Sequence, residues 1–211
     1  MEEGNVMSQN VVDGASDVGI TCLDPIDSIV EHNTIRNVSM NTSPYNQNTH
    51  LGMAVECAGF ARNVLYRRNH IENCAGTGIA TFGPTADSGK DIVWDGNYIT
   101  NCGSGLYANR VTGILITNNI VNGTTDATPH SAFGLRINPE TAGADIEGNQ
   151  FMNISPSGTG HFILLLAPKG TFIGNLIHMK EPPIGAVRSP IFKGQMTNWT
   201  LADNQIVTDP A

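Results

Sequence analysis

The chain of 211 residues is the length of one domain and carries a formal charge of −8, with only 11 Lys and Arg spread along it. That balance argues against nucleic acid as a partner, because phosphate binding needs clustered cations. Charged residues make up 14 % of the chain while Gly, Asn, Ser and Thr are abundant, which suits many short strands joined by turns and leaves little helix.

The first predicted unit is degenerate, with Met7 three residues before Asn10. An Asn followed two residues later by Ile or Phe then recurs at Asn33, Asn69, Asn97, Asn118, Asn149, Asn175 and Asn204, with gaps of 36, 28, 21, 31, 26 and 29 residues. Spacings of this size mark stacked structural repeats, each one coil of a solenoid buried only by its neighbours, so residues 1–211 are expected to form a single domain. The coil around Asn97 shows three short strands, at 78–83, 91–96 and 97–100. The residues three before each Asn are Val30, Tyr66, Trp94, Leu115, Ile146, Phe172 and Leu201, a set apolar enough to be an interior stack. In the Gly-led strands the pairs Ile20/Cys22, Met53/Val55, Ile79/Thr81, Leu106/Ala108, Leu135/Ile137 and Leu164/Leu166 form a second interior stack. The repeated Asn is expected at a turn, where its amide can bond the same Asn one coil above and below, which makes it architecture rather than chemistry.

The outward position four before each Asn reads Val6, Ile29, Leu65, Val93 and Ile114, then Asp145, Thr171 and Thr200. Five apolar residues in one vertical line, about 20 Å long at roughly 4.8 Å per coil, predict a homo-oligomer contact or a covering segment. No capping helix is visible before the first coil or after the last, so the chain reads as part of a larger protein.

No apolar run approaches the roughly 20 residues that span a bilayer, and Met1-Glu2-Glu3-Gly4-Asn5 has neither the basic start nor the apolar stretch of a signal peptide. Of the sequons starting at Asn37, Asn41, Asn122, Asn153 and Asn198, those at Asn37, Asn122 and Asn153 fall at one repeated position and read as architecture rather than glycan sites. Cys22, Cys57, Cys74 and Cys102 include no CxxC pair and have no close His, so no metal or other cofactor is expected. Cys74 and Cys102 each follow an Asn at the same place in their coils and should stack one above the other, as buried free thiols in preference to a disulfide.

A Gly-Ile/Leu strand, then Ile-x-x-Asn, then Asn-x-Ile resembles the right-handed parallel β-helix of the pectin-lyase-like superfamily, from about Asn10 to Ile206. That resemblance implies an all-β fold of seven to eight coils whose Gly-led strands form a first sheet carrying the substrate groove on its outer face. Members include polysaccharide lyases, epimerases, glycoside hydrolases, phage tailspikes and adhesins, so it implies a polysaccharide partner and an extracellular or virion-associated location without choosing an activity. Tailspike-like members are commonly trimers held along their sides.

Outward positions of the Gly-led strands are Thr21/Leu23, Ala54/Glu56, Ala80/Phe82, Tyr107/Asn109, Arg136/Asn138 and Leu165/Ala167. Tyr107, Asn109, Arg136 and Asn138 should share one patch, with Phe82 and Glu56 further along the same face. A Tyr ring packs on the C–H side of a pyranose, a guanidinium holds a carboxylate through two parallel bonds, and amides bind hydroxyls, which suits an acidic sugar. The segments 38–51 and 123–133 are long turns that would bring Tyr45, His50, Asp126 and His130 towards this face, with Glu140 just beyond the fifth strand. Glu56 and Glu140 are three coils apart, about 14 Å, too far for the roughly 5–10 Å of a hydrolase pair, whereas Asp126 with Glu140 stays open. A lyase or epimerase needs a base beside the uronate carboxylate and a cation to stabilise the developing charge, roles open to His130 and Arg136. The clustered acids of a calcium-dependent pectate lyase and the Asp-Pro-His-Glu motif of alginate epimerases are both missing.

Overall fold

The computed structural model describes residues 2–40, 52–124, 133–154, 162–179, 191–193 and 198–208. Every strand pairing among them is parallel, and the strands form three sheets running the length of a right-handed parallel β-helix. Sheet 1 stacks Val18–Leu23, Met53–Ala58, Thr77–Phe82, Ser104–Asn109, Leu135–Ile137, Ile163–Leu165 and Ile191–Lys193. Sheet 2 begins with Glu2–Glu3 and Val6–Ser8 against Pro25–Glu31, and continues through Arg62–Arg67, Gly89–Asp95, Val111–Thr117, Ala144–Glu147, Lys169–Ile173 and Asn198–Ala202. Sheet 3 stacks Val11–Asp13, Thr34–Arg36, His70–Glu72, Tyr98–Cys102, Ile120–Thr124, Gln150–Met152, Leu176–Met179 and Gln205–Thr208. No helix among the described residues is long and apolar enough to cross a membrane.

The interior is a set of vertical columns, because strand alternation turns every second side chain inward and parallel stacking repeats that choice coil after coil. Sheet 2 contributes Val30, Tyr66, Trp94, Ile116, Ile146 and Phe172, and sheet 3 contributes Ile35, Ile71, Ile99, Val121, Phe151 and Ile177, all fully buried. The glycines leading sheet 1 have a steric cause: a Cβ on Gly19, Gly78 or Gly105 would lie 2.6–2.7 Å from the side chain of Ile35, Ile99 or Val121. Sheet 3 fills that space with apolar branches, so the facing strand starts without a side chain.

Eight Asn residues, at 10, 33, 69, 97, 119, 149, 175 and 204, line the turn between sheets 2 and 3. Each interior member is fully used. The Asn119 Oδ1 accepts the backbone N–H and the side-chain amide of Asn97 at 3.0 and 2.9 Å, and its own amide donates to Asn149 Oδ1 at 3.0 Å and to the Trp94 carbonyl at 2.9 Å. The pattern repeats from Asn10 onto Asn33 and from Asn175 onto Asn204. The residue before each ladder Asn has a positive φ: Gln9, His32, Arg68, Gly96, Asn118, Gly148, Gly174 and Asp203.

That turn corrects the sequence reading in one coil. Asn118, expected in the ladder, is the left-handed residue with φ 56°, and Asn119 enters the stack. Both Asn118-x-Ile120 and Asn119-x-Val121 satisfy the repeat, so the motif could not choose; the left-handed position, held by Gly in the Asn97, Asn149 and Asn175 coils, was the available signal. The slip carries through the coil as parity requires. Ile114, expected in the exposed stripe, is buried, and Leu115, expected in the core, is 38 % exposed and completes the line of Val6, Ile29, Leu65 and Val93. Asn122 likewise lies one residue short of the turn position shared by Asn37, Asn73, Asn101 and Asn153.

A second slip affects the sixth strand of sheet 1. Ile163 and Leu165 are buried and level with Leu135 and Ile137, so Leu164, not Leu165, follows Arg136 on the outer face, and Ala167 is buried as well. The strand at Met53–Ala58 keeps the expected parity but sits two residues further along, with Val55 rather than Met53 level with Ile20 and Ile79. All four cysteines are free thiols, and Cys57, Cys74 and Cys102 are buried.

Candidate functional site

The outer face of sheet 1 carries a column that runs Thr21, Glu56, Ala80, Tyr107, Arg136 and Leu164. Beside it Leu23, Ala58, Phe82 and Asn109 are level partners, and Asn138 follows Asn109 in the same register. Tyr107, Arg136, Asn109 and Asn138 therefore meet on adjacent coils as the alternation implied.

Their bonds build a fixed arrangement from the backbone upward. Arg136 and Asn138 are two residues apart on one face, so the Arg136 Nε reaches the Asn138 Oδ1 at 2.7 Å. The Asn138 amide donates to the Tyr107 hydroxyl one coil away at 2.8 Å. The Arg136 Cζ lies 5.8 Å from the centre of the Tyr107 ring, within cation–π range, and the Phe133 ring packs against Tyr107 at 6.2 Å. Burial raises the Tyr107 hydroxyl pKa, opposed by the Arg136 charge and the Asn138 bond, so the hydroxyl stays protonated at neutral pH. Among the described residues, no hydrogen bond engages the terminal nitrogens of Arg136. The Asn109 Oδ1 is buried and likewise has no hydrogen-bond partner among the described residues.

The remaining candidates divide. Phe82 is half-buried and level with Asn109, at the edge of the patch. Glu56 shares the Tyr107 column but is buried, its carboxylate accepting from the Thr21 hydroxyl at 3.2 Å, so it is a packed residue rather than an open contact for substrate. Glu140 sits on the turn after the Arg136 strand and is held by Arg110, whose Nε approaches its Oε2 to 2.7 Å. The same guanidinium donates to the carbonyls of Gly83 and Pro84, which ties Glu140 to the turn two coils below. Asp126, His130, Tyr45 and His50 lie outside the described residues. Sequence reasoning passed over Arg110, because its left-handed backbone between two strands of one coil leaves no trace in the alternation pattern.

No group of three or more His, Cys, Asp or Glu placed to hold a metal ion occurs among the described residues. No known protein family, curated protein or solved structure matches this chain.

Proposed function

We propose that this protein is a carbohydrate-active β-helix of the pectin-lyase-like kind, which binds an acidic polysaccharide on the outer face of sheet 1. The observation that carries the reading is the chain of bonds from Arg136 through Asn138 to Tyr107. It fixes the guanidinium through its Nε and leaves the two terminal nitrogens for a carboxylate, the geometry in which arginine binds such a group through parallel bonds. Beside it the Tyr107 ring offers an apolar face for a sugar ring. A uronic-acid residue supplies both partners.

Cleavage is the second step of the proposal. Arg136 would stabilise charge developing on the bound carboxylate, and Glu140, His130 or Asp126 would move the proton. The deciding experiment is mass spectrometry of products after incubation with pectin, alginate, glycosaminoglycans and capsule polysaccharides, run beside a binding assay on the same panel. Products short by one water identify a lyase and hydrated products a hydrolase. Binding without products leaves a lectin-like site, and neither binding nor products overturns the reading.

The outer-face stripe of Val6, Ile29, Leu65, Val93 and Leu115, exposed at its two ends and half-buried between them, favours a second reading, a non-catalytic tailspike or adhesin segment joined side by side to other subunits. Its test is the mass of the protein in solution, where a monomer counts against it.

A further inference from the structure

The four cysteines form two pairs on stacked coils, and the pairs differ in their surroundings. Cys22 and Cys57 are level partners in sheet 1, and burial pushes the Cys57 thiol up to about 12, which keeps it protonated and inert near neutral pH. Cys102 ends the sheet 3 strand Tyr98–Cys102, and Cys74 lies two residues beyond the neighbouring strand His70–Glu72. The bonds on both sides of them fix their alignment: Glu72 is level with Thr100, and the Gly103 N–H donates to the Cys74 carbonyl at 2.9 Å in the same register. Level residues on adjacent parallel strands have Cα atoms about 4.8 Å apart, inside the roughly 4.4–6.8 Å that a disulfide spans.

The side chains agree with the backbone. Each thiol donates to the carbonyl two residues before it, Cys74 to Glu72 and Cys102 to Thr100, both at 3.4 Å, so the two sulfurs repeat one position in successive coils. The neighbouring Cys102 thiol holds Cys74 below its ordinary range, with the Val38 backbone adding to the effect and burial opposing it. That contact, together with burial, holds Cys102 well above its ordinary range. Both directions follow from the one contact between the two sulfurs. Cys74 also borders an open groove lined by Asn37, Val38, Ser39, Asn73, Ala75 and Asn101.

We propose that Cys74 and Cys102 are an oxidation site at which a hydroperoxide closes a reversible disulfide between the Asn69 and Asn97 coils. The Cys74 thiolate attacks one peroxide oxygen, forming an S–O bond as the O–O bond breaks, and the departing hydroxide takes up the proton the thiol released. The Cys102 sulfur then attacks the Cys74 sulfenic acid; the S–S bond forms, the S–O bond breaks, and hydroxide leaves with the Cys102 proton as a second water. Two thiols lose two electrons and one hydrogen peroxide becomes two waters. A thiol reductant reverses the link. To form it, both thiols must leave the carbonyls of Glu72 and Thr100 and turn towards each other.

This site does not depend on the sugar reading. The test is to treat the folded protein with hydrogen peroxide, quench in acid, alkylate under denaturing conditions and map the peptides. The expected result is a linked Cys74–Cys102 peptide lighter by two hydrogens, with Cys22 and Cys57 alkylated. In Cys102→Ala the link should vanish and Cys74 should advance to sulfinic and sulfonic acid. Wild-type protein with all four cysteines alkylated, with Cys74 stopped as sulfinic acid, or with Cys22 and Cys57 linked in equal yield overturns the proposal. Should Cys102→Ala not fold, the wild-type map decides, and Cys57→Ser, expected to link Cys74 to Cys102 unchanged, is the second variant.

Discussion

The Asn ladder and the Tyr107 patch use the same residue type to opposite ends. In the ladder, every donor and acceptor of Asn119 is taken up by Asn97, Asn149 and Trp94, and nothing remains for a ligand. In the patch, Asn138 is spent on holding Arg136 and Tyr107, and what it presents to a ligand is the Arg136 guanidinium rather than its own amide. Abundance of Asn therefore says little about binding: the ladder amides hold coils together, and the patch amide holds a cation in place.

The sharpest test of this contrast is Asn119→Ala. It removes the acceptor for two Asn97 donors and the donor for the Trp94 carbonyl, and should cost about 2–4 kcal/mol in urea unfolding. Asn118→Ala, at the left-handed position beside it, should cost only about 1–2 kcal/mol. Equal losses would return the ladder to Asn118.

Alkaline pH should next distinguish the interior from the patch. Unfolded thiols ionise near pH 9, whereas Cys57 in the fold holds its proton to about 12, so the folded state is disfavoured as pH rises from 9 towards 12. The contribution is complete below the unfolded pKa and is lost as pH climbs through the folded one. Cys57→Ala should flatten the stability curve over that window. Tyr66 and Cys102 in the interior and Tyr107 in the patch are raised as well and act in the same direction, so an unchanged profile in the variant would assign the effect to these three groups.

Smaller still is the expected stability change for Arg136→Ala, within about 0.5 kcal/mol because the side chain lies on the outer face. Binding of acidic polysaccharide should nevertheless fall at least tenfold in a titration, and Arg136→Lys should not restore it, since an ammonium lacks the paired donors. A large drop in melting temperature would class Arg136 with the ladder.

At the small end, Leu115→Asp should leave unfolding nearly unchanged, as expected for a residue 38 % exposed. Its readout is sedimentation: an oligomer held by the stripe should dissociate. An oligomer that survives the substitution is joined by another surface.

The sequence by itself determined the fold, the number of coils and the facing of most columns, because an Asn with an apolar residue two places on recurs at spacings only stacked coils explain. Trp94 in the core and Tyr107 beside Arg136 follow from period-two alternation alone. Registers at the Asn118-Asn119 doublet and at Leu164-Leu165-Leu166 needed tertiary structure, since a run of like residues satisfies either parity and only turn conformation and packing decide between them. Burial of Glu56 and the Arg110–Glu140 pair were equally beyond the pattern. Alternation tells which face a side chain leaves from, but its burial and partners depend on chain segments distant in sequence.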